Sequence, residues 1–325
     1  MPTPSQVHVN APLTNMSLEV LQSETAFAAA DVFPPCPVAK QSDLYFEYSR
    51  EDFLRANAKV RAPNTESAGA DYGVVANNPY FCRIISIHKD ISEEERTNSD
   101  EPLKPDQDAM RFVTRQILVG RELLFGTAAF TTGVWTTQFE GVAGGPVAGQ
   151  FRQWSDYTNS DPLLDAENFY IAMEDLTGFR PNVMLVGRDV HSALINHPDI
   201  IERVKYTSAE PIREQILAKY FGVEKYKVAR SIYNTSAVPG TPAYSQLLTA
   251  KSMLFAYAAP APSVATASAG YMFVWKALPG VNEKGLRIMK EPVPNKKADR
   301  IEGEMALDFK VVCADLGIYC YTAVA

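Results

Sequence analysis

The chain has 325 residues, 46% of them hydrophobic and 21% charged, a composition that supports a sizeable folded core and argues against whole-chain disorder. Its 31 basic and 38 acidic residues leave a net charge of −7, which argues against a protein whose main task is wrapping nucleic acid through its phosphates. No stretch reaches the roughly 18 apolar residues of a membrane span, and the first residues lack a signal-peptide pattern, so a cytoplasmic protein without membrane contact is expected.

In chain order, the opening segment to about Leu44 carries Pro2, Pro4, Pro12, Pro34, Pro35 and Pro37, with one short helical candidate over Leu18–Ala30. Proline removes an amide donor and fixes the backbone, so this stretch is expected to be an extended arm, anchored by Val32, Phe33, Leu44, Tyr45 and Phe46. Strands are predicted over Leu44–Ser49 and Tyr80–His88. Between them lies RANAKVRAPNTESAGADYGVVANNP, rich in Ala, Asn, Gly and Pro. So long a connection cannot satisfy its own backbone polar groups, and it is expected to find partners on a neighbouring molecule.

An acidic run, Asp90–Glu101, has six acids against the single base Arg96. The strongest helix of the chain is predicted over Asp106–Phe130. It has one stripe of Phe112, Gln116, Val119, Leu123 and Phe130, and an adjacent one of Ala109, Val113, Ile117, Gly120 and Leu124. At about 1.5 Å per residue it would be roughly 37 Å long, a spine for the molecule. Phe139–Gly149 reads as a glycine-rich turn that matches neither a Walker motif nor G-x-G-x-x-G.

From Trp154 onward the elements shorten. Asp161-Pro162 starts a capped helix closing at Gly178, VMLVG (Val183–Gly187) is a buried strand, and RDVHSALINHP is a helix stopped by Pro198. A helix ending at Gly222 and strands over Tyr226–Arg230 and Ser252–Tyr257 complete an α+β lobe. Two long strands follow, joined through the tip PVPNKKADR, with Lys296, Lys297 and Arg300 against Asp299.

Chemistry-bearing patterns are absent. His8, His88, His191 and His197 form no H-E-x-x-H, there is no G-x-S-x-G, and Cys36, Cys82, Cys313 and Cys320 have no C-x-x-C spacing. Buried reduced thiols, no metal, no cofactor and no catalytic residue are therefore expected.

The succession FRQWSDYTNSDPLLDAENFYIAM, RPNVMLVGRDVHSALINHPDIIERVKY and EQILAKYFGVEKYKVARSIYN resembles the major capsid proteins of tailed double-stranded DNA bacteriophages. YFEYSREDFLRANAKVRAPNTES and RELLFGTAAFTTGVW extend the resemblance over nearly the whole chain. It implies an α+β fold of the Hong Kong ninety-seven type, with an N-terminal arm (1–52), an extended loop (53–90), a peripheral domain (91–155 and 281–312) and an axial domain (156–280 and 313–325). The implied function is self-assembly into the hexamers and pentamers of an icosahedral virion shell, assembled in the host cytoplasm around double-stranded DNA that it contacts weakly. Implied partners are further copies of the chain, a portal protein, and a separate scaffolding or decoration protein.

Candidate inter-subunit contacts are Arg61, Asn64, Tyr72 and Val75 in the loop, Glu93, Glu94 and Glu95 in the acidic run, and Lys296, Lys297 and Arg300 at the tip. The acidic run and the basic tip are expected to pair across subunits. The chain begins almost directly with the arm, so no built-in scaffold is expected. Some relatives cross-link through a loop lysine, and Arg61–His88 contains none, so a non-covalent shell is expected. Two other readings stand beside this one: an encapsulin-type compartment enclosing a protein cargo, and a cytoplasmic enzyme, which would need a pocket of convergent polar groups.

Overall fold

The computed structural model describes residues 26–48, 50–99, 103–205, 214–237, 240–262, 266–277, 282 and 285–325. A short helix, Ala29–Val32, leads into β1 (Pro35–Val38) and β2 (Ser42–Tyr48), a helical turn Arg50–Phe53, β3 (Val74–Phe81), β4 (Arg83–Ser92) and a helix Glu93–Thr97. The long helix Pro105–Ala129 follows, then β5 (Thr137–Val142), β6 (Gln150–Arg152), helix Pro162–Thr177, β7 (Val183–Gly187), and helices Arg188–Ile195, Pro198–Lys205 and Glu214–Tyr220. The remainder is mostly strand: β8 (Lys225–Ala229), β9 (Ile232–Asn234), β10 (Tyr244–Gln246), β11 (Met253–Ala256), β12 (Gly270–Trp275), β13 (Leu286–Val293), β14 (Ala298–Val311) and β15 (Gly317–Tyr321).

Two large sheets organise most of these strands, while β2–β3 and β9–β10 pair separately as two-stranded ribbons. In the first, β1, β12, β14 and β13 lie side by side, with β4 also paired to β14. In the second the order is β6-β5-β15-β11-β7-β8. β14 is the central strand of the first sheet, antiparallel to β13 from Ala298 to Met305 and to β4 from Ala298 to Leu307. Among the described residues β13 has no further neighbour and forms an outer edge. β7, VMLVG, is buried at every position between antiparallel β11 and parallel β8, as expected for a central strand covered on both faces.

The long helix begins with Pro105 in its first turn and carries Asp106 and Asp108 there, which complement the positive end of its dipole. Of its two expected stripes, Ala109, Val113 and Ile117 are buried against the first sheet, whereas Phe112 stays 46% exposed. Gly303 on β14 permits this approach, since a Cβ there would stand 2.5 Å from Val113 Cγ1 and 2.6 Å from Ile117 Cδ1. Asp161 caps the helix Pro162–Thr177, accepting from the Leu163 and Leu164 amides, and Gly178 ends it in the left-handed conformation.

Several expectations are corrected. The single strand predicted over Tyr80–His88 is two strands, because the chain changes partner at Cys82. Phe81 is paired to Ser42 and Arg83 to Leu307, while the Cys82 amide turns aside to the Gln41 carbonyl (2.8 Å). Pro198 ends one helix but also starts the next, where its missing amide costs nothing. Phe139–Gly149 is only partly turn, since β5 runs to Val142 between parallel β15 and β6. The parallel pairing of β1 with β12 has no counterpart in the sequence reading, because the two prolines of β1 mask a strand that lies at the sheet edge. The helix predicted over Leu18–Ala30 falls largely outside the described residues, as do Asp100 and Glu101 of the acidic run.

The strands on either side of the expected domain boundaries pair as follows. Residues 137–152 join the second sheet, with the C-terminal strand, and 270–275 join the first. Cys36, Cys82 and Cys320 are buried and Cys313 half-buried, and none of the four is in a disulfide. Burial pushes the Cys82 thiol up to about 12, so it stays protonated.

Candidate assembly surfaces

β2 and β3 form an antiparallel hairpin with a register shift between Tyr45 and Glu47, a bulge that increases local twist. Its base is anchored where Tyr45 and Tyr80 stack on Phe273, with ring centroids 5.7 and 4.7 Å apart. Val75 lies in β3 opposite Glu47. Beyond the paired strands, every residue from 54 to 73 is exposed and none of them belongs to a helix or strand.

Leu54, in the turn that follows Phe53, is 65% exposed, Tyr72 is 58% exposed and Val60 is fully exposed. Within this segment the Thr65 N–H and Oγ1–H both donate to the Ala62 carbonyl (3.3 and 2.8 Å), and the Gly73 amide donates to Asp52 Oδ2 (2.9 Å). Pro63 and Asn64 occupy the turn centre, and Asn64 has a φ of 61°, the left-handed conformation that asparagine tolerates there. Arg61 is exposed beside it. Lys59 is exposed too, and it lies just ahead of the Arg61–His88 range on which the expectation of a non-covalent shell rests, so that range does not cover the whole loop.

The second surface is the tip joining β13 to β14. Pro294–Lys296 forms a single 3-10 turn, and Lys297 follows with a φ of 47°. The sequence leads one to expect that the basic residues here meet acids of another subunit, but Lys296 and Arg300 have partners in the same chain. Asp90 accepts from Lys296 Nζ (2.6 Å) and from Arg300 Nε and Nη2 (2.8 and 3.2 Å). Those hydrogen bonds hold its carboxyl well below the usual carboxylate range. Arg96 reaches Asp106 (2.8 Å) and Asp299 (3.0 Å), and Lys290 reaches the same two acids. Glu95 pairs with Lys89 (3.2 Å). The reason is register: β4 lies antiparallel beside β14, which sets Asp90 opposite Arg300. Glu93, Glu94 and Lys297 remain exposed.

Other titratable groups are built into the core. His191 Nδ1 is 2.9 Å from Tyr226 Oη, and Arg230 approaches Nε2 (3.5 Å). Burial, then the Arg230 cation, pull the His191 pKa down to about 4. His197 is fully buried against Ser160 Oγ (3.1 Å), and burial lowers its pKa as well. Among the described residues, no group of His, Cys, Asp and Glu could hold a metal ion, and no helix is long and apolar enough to cross a membrane. An open groove between β4 and the long helix is lined by His88, Lys89, Asp90, Glu95, Asp108, Ala109 and Phe112, with its acids engaged in ion pairs.

No family model matches the chain. It is 24% identical over 231 residues to the major capsid protein of Burkholderia phage BcepMu, covering 69% of this chain and 70% of that one. A phage-related protein from Bordetella bronchiseptica superposes with a TM-score of 0.70 at 21% identity, covering 93% and 94% of the two chains. The capsid of cyanophage P-SCSP1u gives 0.57 at 12% identity over 95% and 92%, and an encapsulin from Synechococcus elongatus gives 0.57 at 10% identity over 97% and 95%. The chain therefore has the α+β fold of tailed-phage capsid proteins, the Hong Kong ninety-seven type.

Proposed function

We propose that this chain is the major capsid protein of a tailed phage, a structural subunit that assembles into the hexamers and pentamers of an icosahedral shell around double-stranded DNA. The observation that carries it is the hairpin extension: residues 54–73 are all exposed and outside any helix or strand, on a body of capsid fold. A segment of this kind gains its packing from another copy, and many such weak contacts add by multivalency. Arg61, Asn64, Tyr72 and Val75 would make loop contacts, and Glu93, Glu94 and Lys297 would be the charges still open to a neighbour.

The two sheets would serve as peripheral and axial lobes, with residues 137–152 in the axial lobe and 270–275 in the peripheral one. Assembly would take place in the host cytoplasm, with a portal protein at one vertex, a separate scaffolding or decoration protein, and weak contact with DNA, in keeping with the net charge of −7. An encapsulin shares the fold, so a compartment around a protein cargo is the second reading. The curated relative, a phage capsid protein, favours the first.

Negative-stain electron microscopy with light scattering on the purified chain tests the proposal. Shells, tubes or capsomers support it. A strictly monodisperse monomer at high concentration, with and without phage lysate proteins, would overturn it. Nucleic acid inside particles recovered from cells separates the phage reading from protein cargo.

A further inference from the structure

Glu122 lies on the long helix with no exposed surface, yet it is an acid. Its Oε1 accepts from the Ala28 amide (2.8 Å) and its Oε2 from the Ala29 amide (3.2 Å), capping the turn Ala29–Val32 from another element. The same short segment reaches both sheets. Asp31 pairs with Lys227 on β8 of the second sheet (3.1 Å), and the turn packs against β7.

Phe33 inserts on the other side. Its ring meets Phe125 edge-on (5.3 Å), Trp135 (6.3 Å) and Phe309 of β14 (6.2 Å). Gly270 of β12 leaves the space, since a Cβ there would be 2.3 Å from the Phe33 ring. Two residues on, β1 adds to the first sheet as its edge strand.

We propose that residues 28–33, held by Glu122, are the fastener that sets the two sheets against each other. Glu122 is a positioning residue: without its carboxylate the amides of Ala28 and Ala29 lose their paired buried acceptors, and the segment can lift from both sheets together. Only the consequence for shell rearrangement rests on the capsid reading. If the lobes move in a shell, they turn as one body until this joint opens.

Hydrogen exchange on the purified chain tests this without any need for assembly, so its failure is separate from failure of the capsid reading. In Glu122→Gln, exchange should rise about tenfold or more at 28–33 and also in β8 and β12, one strand in each sheet, as expected for loss of a buried hydrogen-bond acceptor. The hairpin β13–β14 near residues 290–300 should not change. A rise confined to 28–33, or none, would overturn the proposal. If Glu122→Gln does not fold, Asp31→Asn, at a partly exposed pair, should raise exchange at 28–33 and β8, and no rise there would overturn it equally.

Discussion

Gly303 lies beneath Val113, where a Cβ would come within 2.5 Å of the Val113 Cγ1 methyl. The long helix can cross β14 only because that position has no side chain. Gly303→Ala should push helix and strand apart and cost about 1–3 kcal/mol, the usual range for overpacking a core. Urea unfolding of the two chains checks this, and an unchanged midpoint would show that the helix can shift freely.

Asp90 ties Lys296 and Arg300 into β4. Its folded pKa lies below its unfolded one, so the stabilisation is present above the unfolded carboxylate value and is lost as the pH falls through the folded one. The pairs are partly exposed, and Asp90→Asn should cost only about 0–1 kcal/mol globally. Its effect should be local, with faster hydrogen exchange at the tip. Equal exchange there in both chains would count against the intrachain network.

The buried His191 gives the chain an acid limb. Its folded pKa of about 4 lies below the unfolded value of 6.5, so the folded state binds fewer protons. Stability is therefore complete above the unfolded value and declines as the pH falls from there toward the folded one. At pH 5 the loss from this group would be about 2 kcal/mol. Urea unfolding at pH 7 and pH 5 measures it, and the difference should shrink in His191→Gln.

Val60, in the exposed loop, offers a test that separates folding from the proposed assembly. Fully exposed, it should tolerate Val60→Asp with less than about 0.5 kcal/mol lost from the subunit. Light scattering should nevertheless show slower or weaker assembly. Normal assembly by a normally folded variant would remove Val60 from the contact.

Much of the architecture was legible because it is periodic or capped locally. The long helix shows in the Ala109-Val113-Ile117 spacing, the next in Asp161-Pro162 and Gly178, and β7 in an unbroken apolar run. What escaped depends on partners far along the chain. Cys82 looks like the middle of a strand until Ser42 and Leu307 claim its two sides, and Glu122 looks like a solvated helix acid until Ala28 and Ala29 arrive. Charge pattern marks the tip and the acidic run as partners, but only strand register reveals that Asp90 faces Arg300 in its own chain.

The outer edge of the first sheet carries a further consequence. On β13, Pro292 has no amide to offer, and Lys290 places a charge along the same strand. Copies crowded together are thereby discouraged from zipping into cross-strand fibres through this edge. Under the capsid reading proposed above, this edge would stay out of assembly and leave the exposed hairpin to make the contacts between copies.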